Sequence, residues 1–147
     1  MKLSDVQKNN LILLSEMHDL GKVAIPDEIL NKKESLTTEE WEILKTHPEK
    51  GYRIAISSPE LAPIADYILK HHERWDGKGY PFGLKEREIP IECRILAIAD
   101  AYDAMTSQRP YNKVKSHEDA VEEIKRCAGT QFDPKIAEIF TEVITIS

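Results

Sequence analysis

Apolar residues in this chain recur at three- and four-residue spacing in short stretches, each cut off by proline, glycine or a capping residue. That arrangement suits amphipathic helices, each burying one face. Leu11, Leu14 and Met17 predict a helix over residues 4–17, after which Gly21 and Pro26 mark a loop. Thr37 and Glu40 match a capping box, which predicts a following helix that buries Trp41, Leu44 and, further on, Ile54. Ser57-Ser58-Pro59 ends it. Residues 61–72 form the next expected helix, with Leu61, Ile64, Ala65, Ile68 and Leu69 on one face. The segment Trp75-Asp76-Gly77-Lys78-Gly79-Tyr80-Pro81 is too rich in turn residues to be the interior of an element. An apolar helix is expected from Pro90 to about Met105, and a capped helix from Ser116 that stops near Gly129. Asp133-Pro134 opens the last, with Ile136, Ile139 and Phe140 facing inward. Strand-like alternation is confined to the final few residues, so the expected fold class is all-α.

A length of 147 residues suits one domain over positions 1–147. No apolar run approaches the roughly 18–20 residues that a membrane span requires, and the first ten residues are too polar for a secretory signal. Cys93 and Cys127 form no CxxC pair and read as thiols in a reducing compartment, which predicts a cytoplasmic location. The net charge of −6 disfavours a long nucleic acid as partner. It leaves room for a small phosphorylated ligand, which needs only a few local cations or a metal.

The chemistry-bearing residues are unevenly spread. Of five histidines, four stand beside a carboxylate, beside each other or at an expected helix end: His18 with Asp19, His47, and His71 with His72. Imidazole and carboxylate are the usual ligands of borderline transition metals. Any one histidine alone reads as a polar core or surface residue; their joint pattern reads as a metal centre. Asp100 interrupts the apolar run from Ile95 to Ala101 and either binds a metal or faces solvent. Lys22 follows His18 by four residues and shares its face if the helix continues. There it suits a phosphate oxygen or a leaving alkoxide. No HExxH helix, phosphate-binding GxxxxGK[ST] loop or GxSxG elbow is present in the sequence. Chemistry here therefore points to a metal-activated water. Among the other candidates, His117 reads as solvated at a helix start. Glu73 and Asp76 either orient ligating imidazoles or anchor their loop.

These motifs resemble a known family. His18-Asp19-Leu20-Gly21-Lys22 is similar to the signature of the HD superfamily of metal-dependent phosphohydrolases. The run from His71-His72-Glu73 to Gly79-Tyr80-Pro81 resembles the extended signature of the HD-GYP subgroup. The stretches from Ala99-Asp100 to Arg109-Pro110-Tyr111 and from Gly129 to Pro134 continue the likeness.

The resemblance implies a helical bundle around a metal centre and hydrolysis of the bacterial messenger cyclic di-GMP, to the linear dinucleotide or on to GMP. It implies that Asp19 bridges two metals. His47, His71 and His72 would complete one site, and His18 and Asp100 would bind the other. Lys22 would touch the scissile phosphate, and Arg109 would grip substrate phosphate. Gly79, Tyr80 and Pro81 would shape a loop linked in the family to signalling-partner contacts, with Gly79 supplying a backbone angle other residues resist. Histidine-rich ligation favours Fe, Mn or Zn over Mg or Ca.

The family's domain usually begins one helix earlier, with a further ligand for the first metal. The expectation is therefore a weakened first site in an N-terminally short domain, with a second copy or a partner chain covering the exposed surface. Two other readings remain open: a metal-bound module that binds the cyclic dinucleotide without turnover, and a phosphohydrolase for another nucleotide.

Overall fold

A computed structural model describes residues 2–107 and 113–146, so Arg109 lies outside the described residues. The protein is all-α, with no strand among those residues. Its chain forms two compact units, residues 1–72 and 73–147.

The first unit begins with α1 (Asp5–Met17). Ser4 caps it, accepting from the Gln7 backbone while the Gln7 side chain accepts from Ser4 in return. The helix does not continue to Lys22. His18 is its C-cap, and a 3₁₀ turn, Leu20–Ala24, follows. The expected loop at Gly21 and Pro26 thus holds this turn and a short α2 (Asp27–Leu30).

The capping box at Thr37 and Glu40 forms as expected and opens α3 (Thr38–Leu44). The single helix predicted beyond it is two: α4 (His47–Ile56) starts afresh after Lys45 and Thr46. Pro48 explains the break. Its nitrogen carries no hydrogen, and in a continuous helix its ring would strike the carbonyl of Leu44. The burial expected of this stretch also fails: Trp41 is 45% exposed, Ile54 is 36% exposed and Leu44 is half-buried. α3 has no buried residue, because its packing is against the short α2.

The helix expected over 61–72 opens with a 3₁₀ turn, Ala62–Ile64, and becomes α5 (Ala65–Lys70). Ile64, Ala65 and Ile68 are buried, while Leu61 and Leu69 are half-buried. α4 is the hub of the unit, packing on both the Leu20–Ala24 turn and α5.

The second unit packs α6 (Ile91–Thr106), α7 (His117–Arg126) and α8 (Pro134–Ile146) against one another. Ile98, Ile124, Phe132, Ile136 and Ala137 form its buried centre. Ser116 caps α7 through the Asp119 backbone, and Gly129 ends the following turn with φ +89°. The last residues, read as strand-like, belong to α8.

His117 is not simply solvated: its Nδ1 lies 2.8 Å from the Tyr102 hydroxyl on α6. Arg94 and the buried Asp133 form an ion pair at 2.7 Å. Asp133 also accepts from the Lys135 and Ile136 backbones at the start of α8.

Candidate metal centre

The site is assembled from helix ends. His18 closes α1, its backbone N–H donating to Leu14 at 2.8 Å. Its Nδ1 lies 3.1 Å from the Ser15 carbonyl. Asp19 then leads into the Leu20–Ala24 turn. Gly21, in this turn, rests directly on α4: a Cβ there would fall 1.8 Å from the His47 carbonyl oxygen. Any side chain would push the Asp19 turn off the helix that starts with His47. His71 is the C-cap of α5, and its Nδ1 lies 2.6 Å from the Ile68 carbonyl. His72 follows it directly.

Asp19, His47, His71 and His72 converge. One ligand atom from each lies within 4.8 Å of all the others. His47 and His72 bring their Nε2 atoms to 3.0 Å, with ring centroids 4.8 Å apart. The His18 ring stands edge-on to His71 at 5.3 Å, and its Nε2 is 3.3 Å from Asp19 Oδ2. Lys22 Nζ reaches the same oxygen at 3.4 Å, although no continuous helix joins it to His18.

The electrostatics suit a cation. With Nδ1–H donated to Ile68, His71 presents the Nε2 lone pair inward. That nitrogen is buried without a hydrogen bond among the described residues, and Asp19 Oδ1 lies 3.8 Å from it. Nδ1 of the buried His47 is likewise unsatisfied. Burial, helped by His71, pushes His47 down to about 4. Burial and the neighbouring His72 push His71 down to about 3. Both imidazoles are therefore neutral at pH 7 and can donate lone pairs. Burial pushes the Asp19 carboxyl up, but His18, Lys22 and His71 outweigh it and hold the group below the usual carboxylate range. One anion and three converging imidazoles, with His47 and His71 neutral and each holding a buried nitrogen without a hydrogen bond among the described residues, fit a divalent transition ion.

Asp100 lies on α6 of the second unit and is exposed, so the burial cost inferred from its apolar neighbours does not arise. Tyr80–Pro81 is a cis peptide. Gly79 is not among the positive-φ glycines of the described residues; Gly77 (φ +80°) and Gly83 (φ +69°) supply that conformation instead.

Glu73 anchors the loop rather than orienting an imidazole. Its buried carboxylate accepts from the Phe82 and Leu84 backbones, each at 2.8 Å. Asp76 accepts from both Arg74 and the Lys78 backbone. The backbone ties Trp75 to Gln131 and Asp76 to Thr130 give the segment around Gly129 a structural task. The carbonyls of Ser15 and Ile68 were missed by the sequence reading. They share one signal: each stands three residues before a histidine at a helix end.

The family model described as HD domain matches residues 1–136. A protein named cyclic di-GMP phosphodiesterase from Thermotoga maritima is 47% identical over 145 residues, covering 97% of this chain and 39% of that protein. One named 3'3'-cGAMP-specific phosphodiesterase 2, from Vibrio cholerae, is 44% identical over 130 residues, covering 87% and 25%. A solved cyclic GMP-AMP specific phosphodiesterase from V. cholerae superposes with a TM-score of 0.72 at 21% identity, covering 98% of this chain and 40% of that one. This chain therefore spans well under half the length of these relatives. With an HD pair at His18-Asp19 and the longer motif at His71–Pro81 in its sequence, the chain belongs to the HD domain family, in the HD-GYP subgroup.

Proposed function

We propose that this chain is the hydrolytic domain of a metal-dependent phosphodiesterase acting on a cyclic dinucleotide, cyclic di-GMP first. The observation that carries the reading is the quartet of Asp19, His47, His71 and His72, in which buried nitrogens of His47 and His71 have no hydrogen bond among the described residues. The names of the relatives supply the substrate class.

Asp19, His47, His71 and His72 would hold one ion. His18, sharing Asp19 through its 3.3 Å contact, would serve a second. For Asp100 the resemblance alone carries a ligand role, and the same holds for Arg109 as a phosphate grip. Fe or Mn suits the donor set, with Zn as the next choice. When bound, such ions supply Lewis acidity and a water acidified toward neutral pH.

The chain's own residues then have defined tasks. Asp19, ionised throughout the neutral range, keeps the ligand set anionic. The Ile68 carbonyl fixes the tautomer and ring plane of His71. Lys22 is 42% exposed beside Asp19 and can meet a phosphate oxygen of an incoming substrate. Hydrolysis adds water across one P–O3′ bond: a hydroxyl oxygen joins phosphorus, and the departing 3′ oxygen takes the proton. Lys22 is placed to neutralise charge on the phosphate as that bond breaks.

The test is turnover of cyclic di-GMP by purified protein loaded anaerobically with Mn(II) or Fe(II), read by chromatography and mass spectrometry. Linear dinucleotide or GMP is expected. Protein that binds metal but leaves cyclic di-GMP intact overturns the substrate. Cleavage of 3'3'-cGAMP alone would move the reading to the specificity named for the V. cholerae relative. Bound dinucleotide without any cleavage would make this a receptor.

A further inference from the structure

Gly51 carries no ligand atom and belongs to neither the HD pair nor the longer motif at His71–Pro81, yet it sits where the three ligand-bearing pieces of the first unit meet. It lies four residues after His47 on α4 and is buried. A Cβ on Gly51 would fall 2.8 Å from Ile68 Cγ2 and 3.1 Å from the Gly21 nitrogen. In the other direction, a Cβ on Gly21 would fall 2.6 Å from the Gly51 nitrogen.

The two glycines thus bring the turn that follows Asp19 and the helix that starts with His47 into backbone contact. The third piece is α5. Ile68 is fully buried, and its Cγ2 sits on a branched, rotationally stiff side chain that cannot swing aside at low cost. The same Ile68 offers its carbonyl to His71 Nδ1 at 2.6 Å. A displacement of Ile68 would therefore move the group that orients a proposed ligand. A displacement of the turn would move Asp19.

We infer that Gly51 is the positioning residue of the metal centre: its missing side chain sets the spacing between Asp19, His47 and the His71-His72 doublet. The inference rests on the metal-binding reading of that quartet. The Ile68 carbonyl holds His71 alone, and Gly21 governs the contact of the Asp19 turn with α4. Gly51 acts on the separation of the α4, α5 and turn backbones together.

The test is Co(II) binding to the full chain, followed by visible absorption, which reports both affinity and coordination geometry without any substrate. Gly51→Ala is compared with wild type and with Ile29→Ala, which opens a cavity under α2, outside the ligand-bearing elements. In a folded Gly51→Ala protein the expected result is a loss of Co(II) affinity of about tenfold or more, the range seen when groups supporting metal ligands are disturbed. The absorption band should also change shape. Ile29→Ala should lose stability and keep the wild-type spectrum.

Wild-type affinity and spectrum in folded Gly51→Ala would overturn the inference. So would an equal loss in Ile29→Ala, which would mark the effect as general destabilisation. If Gly51→Ala does not fold, Gly51→Ala/Ile68→Ala replaces it, with Ile68→Ala as reference. Weaker binding than the reference supports the role of Gly51, and equal binding overturns it. A wild-type chain that takes up no Co(II) would instead remove the metal-binding reading, and this inference with it.

Discussion

In residues 73–147 the buried carboxylates find partners within their own unit. Glu73 holds two backbone N–H groups, and Asp133 holds Arg94 together with the first turn of α8. In residues 1–72 the buried imidazoles behave differently. His47 Nδ1 and His71 Nε2 are out of water and unmatched. A buried polar group without a hydrogen bond costs on the order of 1–3 kcal/mol. On the proposed metal-binding reading the contrast separates two uses of buried polar groups: carboxylates that fix architecture are satisfied within the chain, and imidazoles are kept for an ion.

The strongest way to break the contrast is Asp19→Ala. Removing the anion should abolish turnover, by at least about 10³-fold, and lower the bound metal per chain. Mass spectrometry of product and elemental analysis check both. Retained activity would show that the quartet is not the reaction centre.

Asp133→Ala tests the other side. It strands a largely buried guanidinium and removes the cap of α8, and should cost about 3–5 kcal/mol in urea unfolding. Metal content of the protein that remains folded should not change. Loss of metal at equal foldedness would blur the distinction between the buried carboxylates of one unit and the buried imidazoles of the other.

Acid titration comes next. His47 stands near 4 and His71 near 3, both below the ordinary histidine value of 6.5. In the metal-free chain the unfolded state then takes up protons first as pH falls. The stabilising contribution of neutral burial is complete above pH 6.5 and is lost between 6.5 and about 4 for His47, further down for His71. For His47 alone the loss amounts to roughly 3 kcal/mol. Urea midpoints of the metal-free protein between pH 7.5 and 4.5 should fall accordingly, and His47→Gln should flatten part of the slope. A midpoint independent of pH over this range would contradict the assignment of neutral, buried imidazoles.

The smallest effect is expected from Lys22→Ala, because the side chain is substantially exposed and water screens it. A fall in kcat of about 10- to 100-fold with unchanged metal content is the expected result. An equal loss of metal would make Lys22 a support of Asp19 rather than a phosphate contact.

Much of this was legible in the residues. The capping box at Thr37 and Glu40 and the helix starts at Ser116 and Asp133 follow from short-range rules that need only a few neighbouring side chains; the convergence of Asp19, His47, His71 and His72 needs the fold. Burial along residues 38–56 was not legible, since exposure of Trp41 depends on whether another helix arrives, and periodicity is silent about that. The break before His47 was readable from Pro48 and was overlooked. The setting of Asp100 was not readable, because an apolar neighbourhood in sequence does not say which side of a helix faces water. Gly21 looked like a motif letter; only the backbone crossing shows why a methyl group there is forbidden.

The hydrogen bonds from Trp75 and Asp76 to Gln131 and Thr130 carry a consequence for biosynthesis. A ribosome delivers the His71-His72 doublet more than fifty residues before the carbonyls that pin the following loop. The loop after residue 72 can close on Glu73 early, but it lacks its ties to Gln131 and Thr130 for several seconds at ordinary elongation rates of about 5–20 residues per second. A stalled or cleaved nascent chain ending before Thr130 would carry the doublet intact and lack those two backbone ties of the loop that follows it.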